Sequence, residues 1–451
     1  MRASRHSIAR ALLLLAAAGA GVDATARCVD EEAVAATPVD TGADSAAIDP
    51  RAQLAGLVRD ALDRSQALGA ARLLASAALD DVEEVKAGKS VQAGLGGGLS
   101  STAERAGGMN ITQALQATAS FNVSQLLYDG GRTDRLTDWR TQLAESARLG
   151  AVSQQEQLAA TTVSLALERS RYRQHVLVYG QYARKMACLV EALETIVRAD
   201  RGRASELVQA RKSLQQAELA QSQAQSQARQ VEVRLRRLVG DGLPGVQGLS
   251  TVLLQVPPLP ELVADVERSA DLAQLAAQAS AAERLAQATA AANRPQVSWS
   301  LGGGATAGAG GTLGQQKTGS LAVGISINIP LLAPGVPAAS EAARKRAQAA
   351  LLQREETLEV RRYRVQEVFE QTQASFDRAR RVGAVLRDSE QVRNFTLQQW
   401  QQLGRRSLFD VMGAEAEHYN LRVAHVNALH DGQQLNAILL SLGRGVGEWL
   451  R

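Results

Sequence analysis

Aromatic residues make up only 3% of this 451-residue chain, which excludes a globular core built on large rings. Ala, Gln, Arg and Leu dominate instead. That mixture suits long helices meeting along small-residue seams. An excess of one charge is also missing. Fifty basic residues against 46 acidic leave +4, with both signs interleaved along the chain. This balance argues against a nucleic-acid-binding face and for solvated helix surfaces. Proline is scarce, and all ten lie at 38, 50, 244, 257, 258, 260, 295, 330, 334 and 337. Proline breaks helix interiors, so the proline-free tracts 51–243 and 338–451 are where long helices can run. No run of ~20 apolar residues occurs, so no membrane-spanning helix is expected, which leaves a β-barrel open. The only cysteines are Cys28 and Cys188, and a disulfide between them cannot be argued from spacing. Arg27 precedes Cys28 and Thr25 stands three positions upstream of it, a departure from the lipobox pattern. Cys188 falls in a helical pattern and reads as a small packing residue.

What is present begins with a leader. Arg2, Arg5 and Arg10 precede the apolar run Ala11–Ala18, and Ala24-Thr25-Ala26 follows as a small-residue cleavage site. This is the layout of a secretory signal peptide over 1–26. Residues 27–50 lack periodicity and read as a flexible segment. The remainder repeats itself about 204 residues apart. Gln125-Leu126-Leu127-Tyr128-Asp129-Gly130-Gly131-Arg132 and Ile329-Pro330-Leu331-Leu332-Ala333-Pro334-Gly335-Val336 each close an alternating segment. Glu206 and Ala210 correspond to Asp410 and Ala414 at the same offset. Two structural repeats follow. The first, 51–243, holds a helix, a strand pair over 89–128 and a helical hairpin over 132–240. The second, 244–451, holds a linker and helix to 294, a strand pair over 295–331 and a hairpin over 338–443.

The strands rest on period-two alternation. Leu321, Val323, Ile325, Ile327 and Ile329 alternate with small or polar residues, as do Ala119, Phe121, Val123 and Leu127, and Val297, Trp299 and Leu301. Val91–Leu99 is a weaker, Gly-rich fourth. The Gly/Ser/Thr-rich stretches 100–116 and 305–319 read as loops joining each pair. The helices rest on heptads. Leu207, Leu214, Gln221, Ala228 and Leu235 recur with Ala210, Ala217, Ala224, Val231 and Leu238, a coiled-coil seam of small residues. Leu351, Leu358, Val365, Thr372, Ala379 and Leu386 repeat the pattern. One apolar and one small-polar strand face suit a transmembrane barrel as well as a half-buried soluble sheet. The leader and the long rods favour the membrane. Four strands cannot close a barrel and lipid tolerates no open edge, so several chains must share one. Three chains give twelve strands.

The chain resembles the TolC-like outer-membrane efflux protein family, the exit ducts of type I secretion systems and drug pumps. The resemblance covers about 51–451. It is carried by Leu127-Tyr128-Asp129-Gly130-Gly131-Arg132, by Asn293-Arg294-Pro295, by Ile329-Pro330-Leu331, and most specifically by Leu403-Gly404-Arg405-Arg406-Ser407-Leu408-Phe409-Asp410-Val411-Met412-Gly413-Ala414. Glu417-His418-Tyr419-Asn420 and Leu442-Gly443 follow. It implies a mixed α and β membrane protein. Four transmembrane β-strands per chain complete a 12-stranded trimeric β-barrel, and long coiled-coil α-helices form a periplasmic tunnel. The implied partners are two further copies, outer-membrane lipid, a periplasmic adaptor protein, and an inner-membrane ABC transporter or other pump. The implied location is the outer membrane, with a large periplasmic part.

The resemblance also implies a gate at the helix-to-helix turns. Asp410 matches an aperture aspartate. Arg406 matches an arginine that pairs with an acid of the neighbouring hairpin, a position occupied here by Glu206. The adaptor-docking turns comprise Arg201, Gly202, Arg203, Ser205 and Leu207 in the first half, and Gly404, Arg405, Ser407 and Leu408 in the second. Gly413 departs from the family where a second aperture aspartate can stand. Gly202 is displaced by two residues from the counterpart of Gly404, so either the first turn is rebuilt or the alignment slips. The expected function is a passive exit duct for type I secretion. The alternatives are the outer-membrane component of a multidrug efflux pump or, in a different class, a soluble periplasmic coiled-coil adaptor. Catalysis is not expected. The glycine runs at 94–98 and 302–304 lack a following Gly-Lys-Ser/Thr, and no nucleophile-plus-base set or cofactor motif is visible. His418 and His425, seven apart and near His430, read as packing or solvated residues rather than metal ligands.

Overall fold

A computed structural model describes residues 49–104, 112–310, 316–403 and 406–451. The expected signal peptide, most of the 27–50 segment, Gly404 and Arg405 lie outside these residues. The helices are α1 (Pro50–Arg64), α2 (Gln66–Ala87), α3 (Arg132–Ala199), α4 (Ala204–Val239), α5 (Leu259–Val266), α6 (Ala270–Ala290), α7 (Gly335–Leu403), α8 (Leu408–Leu442) and α9 (Val446–Leu450). The strands are β1 (Gln92–Glu104), β2 (Thr112–Tyr128), β3 (Gln296–Gly310) and β4 (Gln316–Asn328). Two compact units emerge. Of the described residues, one holds 49–64, Gln157–Leu262 and Val365–Arg451; the other holds Ser65–Glu156 and Val263–Arg364. No helix among the described residues is long and apolar enough to cross a membrane.

The duplication is visible in the element boundaries. β1 and β3 start 204 residues apart, at Gln92 and Gln296. The same interval separates the ends of α3 and α7 (Ala199, Leu403) and the starts of α4 and α8 (Ala204, Leu408). The alignment therefore does not slip. The first turn is rebuilt as a short 3₁₀ segment, Arg201–Arg203, in which Asp200 Oδ1 accepts from the Gly202 amide at 2.9 Å.

The second unit contains one antiparallel sheet of order β1-β2-β3-β4. Its register sorts the side chains by face. One face carries the rows Leu95–Phe121–Gly303–Leu321 and Ala93–Val123–Leu301–Val323, with Gln125–Trp299–Ile325 beyond. Most of this face is uncovered: Leu95 is 92% exposed and Val323 76%. The Trp299 indole donates to Gln125 Oε1 at 3.1 Å, so the polar atoms within the apolar face satisfy one another. The Phe121 ring lies over Gly303 and leaves no room there for a Cβ. The sheet departs from expectation in two ways. Strand pairing continues to Glu104 and Gly310 and resumes at Thr112 and Gln316, well into the stretches read as loops. Backbone pairing does not require apolar side chains, so composition understated the strands. A bulge at Leu127 also puts Tyr128 opposite Val297. Tyr128, rather than Leu127, thus continues the apolar row.

At the end of β2 the chain turns through Gly130 (φ 69°) and Gly131 (φ 78°), left-handed conformations that glycine adopts without penalty. Asp129 is buried and caps α3. Its carboxylate accepts from the amides of Gly131, Arg132 and Thr133 and from the Thr133 hydroxyl. Burial opposes its ionisation, but the Thr133 bonds, the Lys89 charge and the Gly131 amide hold its carboxyl below the usual range. Arg294 donates to the Gly130 carbonyl at 2.8 Å, so the Asp-Gly-Gly-Arg and Asn-Arg-Pro segments meet at one junction.

The first unit has two buried clusters. One joins α1, α3, α4 and α9 around Leu54, Leu57, Val163, Leu167, Leu235 and Val446. Two buried amides of α8 hold the connector after α4. Gln433 donates to the Leu249 and Val252 carbonyls, and Asn436 to those of Leu253 and Gln255. The second cluster lies near the hairpin turns.

Candidate gate at the hairpin turns

Met186, Leu189, Val190 and Leu193 of α3, Ala210 of α4, Leu397 of α7, and Leu408, Val411 and Met412 of α8 form one apolar cluster. It packs the two hairpins together behind their turns. Leu207 is half-buried against it, and Leu408 is fully buried within it. Leu408 thus packs within the chain itself. Arg201, Gly202, Ser205 and Ser407 are exposed, and Arg203 is half-buried.

The charges at the turns pair locally within the chain. Arg203 Nη2 lies 2.9 Å from Glu206 Oε2, an ion pair without hydrogen-bond alignment. Arg406 donates from Nε to Gln399 Oε1 at 3.2 Å and approaches Asp410 at 4.0 Å. Glu206 and Arg406, expected to pair, each have a different partner on their own turn. Asp410 also has a local task. Its Oδ2 accepts from the Ser407 amide at 3.2 Å, and Ser407 Oγ accepts from the Asp410 amide at 3.3 Å. This is a capping box. Its sequence signal, Ser407-x-x-Asp410, was available, and it commits the carboxylate expected to line an aperture to starting α8. α4 has no equivalent: Arg203 stands at its N-cap without a capping hydrogen bond from the side chain.

Behind the turns lie ionic residues that periodicity did not single out. Glu415 of α8 is fully buried. Lys185 of α3 lies 3.8 Å from its Oε1 and Arg393 of α7 3.7 Å from its Oε2. The Tyr182 and Tyr419 rings stack 4.9 Å apart on the side away from the turns. Burial, with the Glu415 charge, raises the Tyr182 hydroxyl above its ordinary value. Farther along, Glu232 accepts from both Arg169 and Arg173, and Arg171 reaches Asn427 and Asp431.

Two buried histidines, His175 and His430, lie in the same unit. Burial, chiefly, and the Arg171 charge push His175 down to about 4, against a hydrogen bond to the Asn427 side chain that raises it, and His430 adds to the depression. Tyr172 and Tyr179 flank the His175 ring edge-on, and its Nε2 is buried without a hydrogen-bond partner. His430 is also held low, mainly by burial; its Nδ1 meets the Val426 carbonyl and its Nε2 the Ser170 hydroxyl. A histidine kept neutral in the fold but free to protonate when unfolded binds fewer protons folded than unfolded between its two pKa values. Stability from His175 is therefore full above about 6.5 and falls as pH drops toward 4, by about 3 kcal/mol. Thermal unfolding of the detergent-extracted protein should show this acid-side loss, and His175→Phe should flatten it. His425 has a different setting, with Nδ1 3.0 Å from the Ala379 carbonyl.

Solved structures with similar coordinates include CusC (19% identity, 87% of this chain and 92% of that chain, TM-score 0.77), described in terms of folding and transmembrane channel formation. They also include the outer membrane protein VceC of Vibrio cholerae (20%, 87% and 97%, TM-score 0.72). A third is the outer membrane channel MtrE of Neisseria gonorrhoeae in its open state (18%, 87% and 89%, TM-score 0.72). The fold is that of the TolC-like outer-membrane channels. No protein-family model and no curated protein matches the chain. Among the described residues the chain has four strands in one sheet, with β1 and β4 at its edges, and two long helical hairpins.

Proposed function

We propose that the chain is one subunit of a passive, trimeric outer-membrane exit duct. The sheet carries this reading. Its apolar face is uncovered and β1 and β4 are unpaired edges. The apolar face suits lipid rather than water, but open strand edges are not tolerated in lipid for one isolated chain, and three copies that close a twelve-stranded barrel leave no edge. From Leu321 to Ile327 the apolar row of β4 runs on the order of 20 Å at ~3.3 Å per residue, comparable with a barrel's lipid-facing band. The helical hairpins would form a periplasmic tunnel whose turns meet an adaptor protein and, through it, an inner-membrane ABC transporter or other pump.

The local pairing of Arg406, Asp410, Arg203 and Glu206 supports a gate whose two turns are each self-contained, so that opening moves the hairpins as units. Cargo follows from the energy source. A duct serving type I secretion and one serving multidrug efflux share this architecture, and deletion separates them by loss of a secreted protein or by drug sensitivity. A detergent-extracted, heat-stable trimer that conducts in planar bilayers is the expected result. Recovery of the whole protein in the soluble fraction would instead identify a periplasmic coiled-coil adaptor.

A further inference from the structure

Cys188 is not the packing residue that its helical pattern suggests. It is half-buried, and its sulfur is disulfide-bonded rather than a free thiol. It stands on α3 about three turns before the helix ends at Ala199. Met186, Leu189 and Val190 beside it belong to the apolar cluster behind the turns, whereas Arg184, Ala187 and Glu191 are exposed. Cys188 therefore lies at the rim of the outward face of α3. The second repeat supplies a comparison. The 204-residue interval places Val392 at the equivalent position of α7, where it is 55% exposed. A side chain at this position is reachable from outside the hairpin in both halves.

The one other cysteine in the sequence is Cys28, which precedes the described residues. We infer that Cys28 and Cys188 of the same chain form a disulfide, a covalent staple that ties the N-terminal segment to the first hairpin near its turn. The reach suffices. Leu54 and Leu57 of α1 share a buried cluster with Val163 and Leu167 of α3. From Val163 to Cys188 is ~38 Å along the helix at ~1.5 Å per residue. The roughly 21 residues from Cys28 to Asp49 can span on the order of 70 Å. The lipobox departure at Thr25 and Arg27 points the same way, because a sulfur held in a disulfide cannot carry a lipid thioether. Formation removes two protons and two electrons from the two thiols. A disulfide-donating oxidant outside the cytoplasm accepts them and is reduced to its dithiol. That compartment rests on the duct reading. The second repeat has no cysteine, so only the first hairpin is stapled.

Peptide mapping of the wild-type protein extracted from the outer membrane tests this, with free thiols blocked by N-ethylmaleimide before lysis. Trypsin releases residues 28–51 and 186–198, each carrying one of the two cysteines. The expected result is a joined species two hydrogens lighter than the sum of the two peptides, parted by reductant. Maleimide-blocked peptides from membrane-located protein overturn the staple. So does an acylated Cys28, or a 186–198 peptide linked to a second copy of itself. Cys28→Ser and Cys188→Ser should each stay in the outer membrane and lower the thermal midpoint by several degrees, as reductant does to wild type. The double variant should fall no further than either single one. Additive losses would mean that the two sulfurs act separately, and would overturn the pairing. Absence of the wild-type protein from the membrane fraction would count instead against the duct reading itself.

Discussion

Replacing Ile325 by arginine is expected to abolish the membrane-inserted trimer, while arginine at the adjacent Ser326 leaves it largely intact. Ile325 is 70% exposed on the apolar face, in the row containing Trp299, and sits midway along that face of β4. Ser326 points the opposite way, with its hydroxyl 2.7 Å from that of Ser298. Arginine near the middle of a lipid-facing strand costs about 2–4 kcal/mol. A trimer carries that cost in three places, enough to exceed the stability of most assemblies. The charge at 326 would enter a water-filled lumen and stay hydrated. Both variants are read by outer-membrane fractionation and by survival of the trimer band on unheated gels. Equal insertion of the two would mean that the apolar face does not meet lipid.

The second large effect is expected at Glu415. Glu415→Gln keeps the side-chain volume but leaves the buried Lys185 and Arg393 without the carboxylate that lies 3.8 and 3.7 Å from them. Removing one partner from a buried ionic set typically costs about 3–5 kcal/mol, because the remaining charges stay desolvated. Here three helices contribute one charge each, so the loss should loosen α3, α7 and α8 together and expose the cluster around Met186, Leu397 and Val411. A lowered thermal midpoint with faster proteolysis near the turns is the expected observation. Replacing all three residues by apolar ones of similar size should restore most of the midpoint. A Glu415→Gln protein as stable as wild type would show that the carboxylate is not needed for packing.

Much of this fold was legible because its signals are local. The alternation of Leu321 to Ile327 needs only a pleated strand with one apolar face, and the proline-free tracts need only an uninterrupted helix. The strand extensions to Glu104 and from Thr112 were not legible, because the sequence there shows no apolar alternation, which backbone pairing does not require. At the hairpin turns, residue identities could suggest charged partners but not choose among them. Arg203 and Arg406 found acids one helical turn away, a competition that the offset between halves does not reveal. Glu415 eluded periodicity for a different reason. On helices rich in both charges, an isolated acid reads as solvent-facing until the identity of the packed neighbours is known. The capping box shows the reverse case, in which a wholly local pattern, Ser407 and Asp410, was open to reading at sequence level.

The shared 204-residue interval also constrains how this chain can change in length. α3 and α7 end in step, and residues near both ends pack into one cluster. Deleting a single residue from α3 beyond Gln157 would draw its end back ~1.5 Å and turn it ~100°. Met186 and Lys185 could then no longer both face their partners. Insertions and deletions in the hairpins must therefore arrive as matched sets, in near-whole heptads and in both halves, whereas the connector between Val239 and Leu259 can drift on its own.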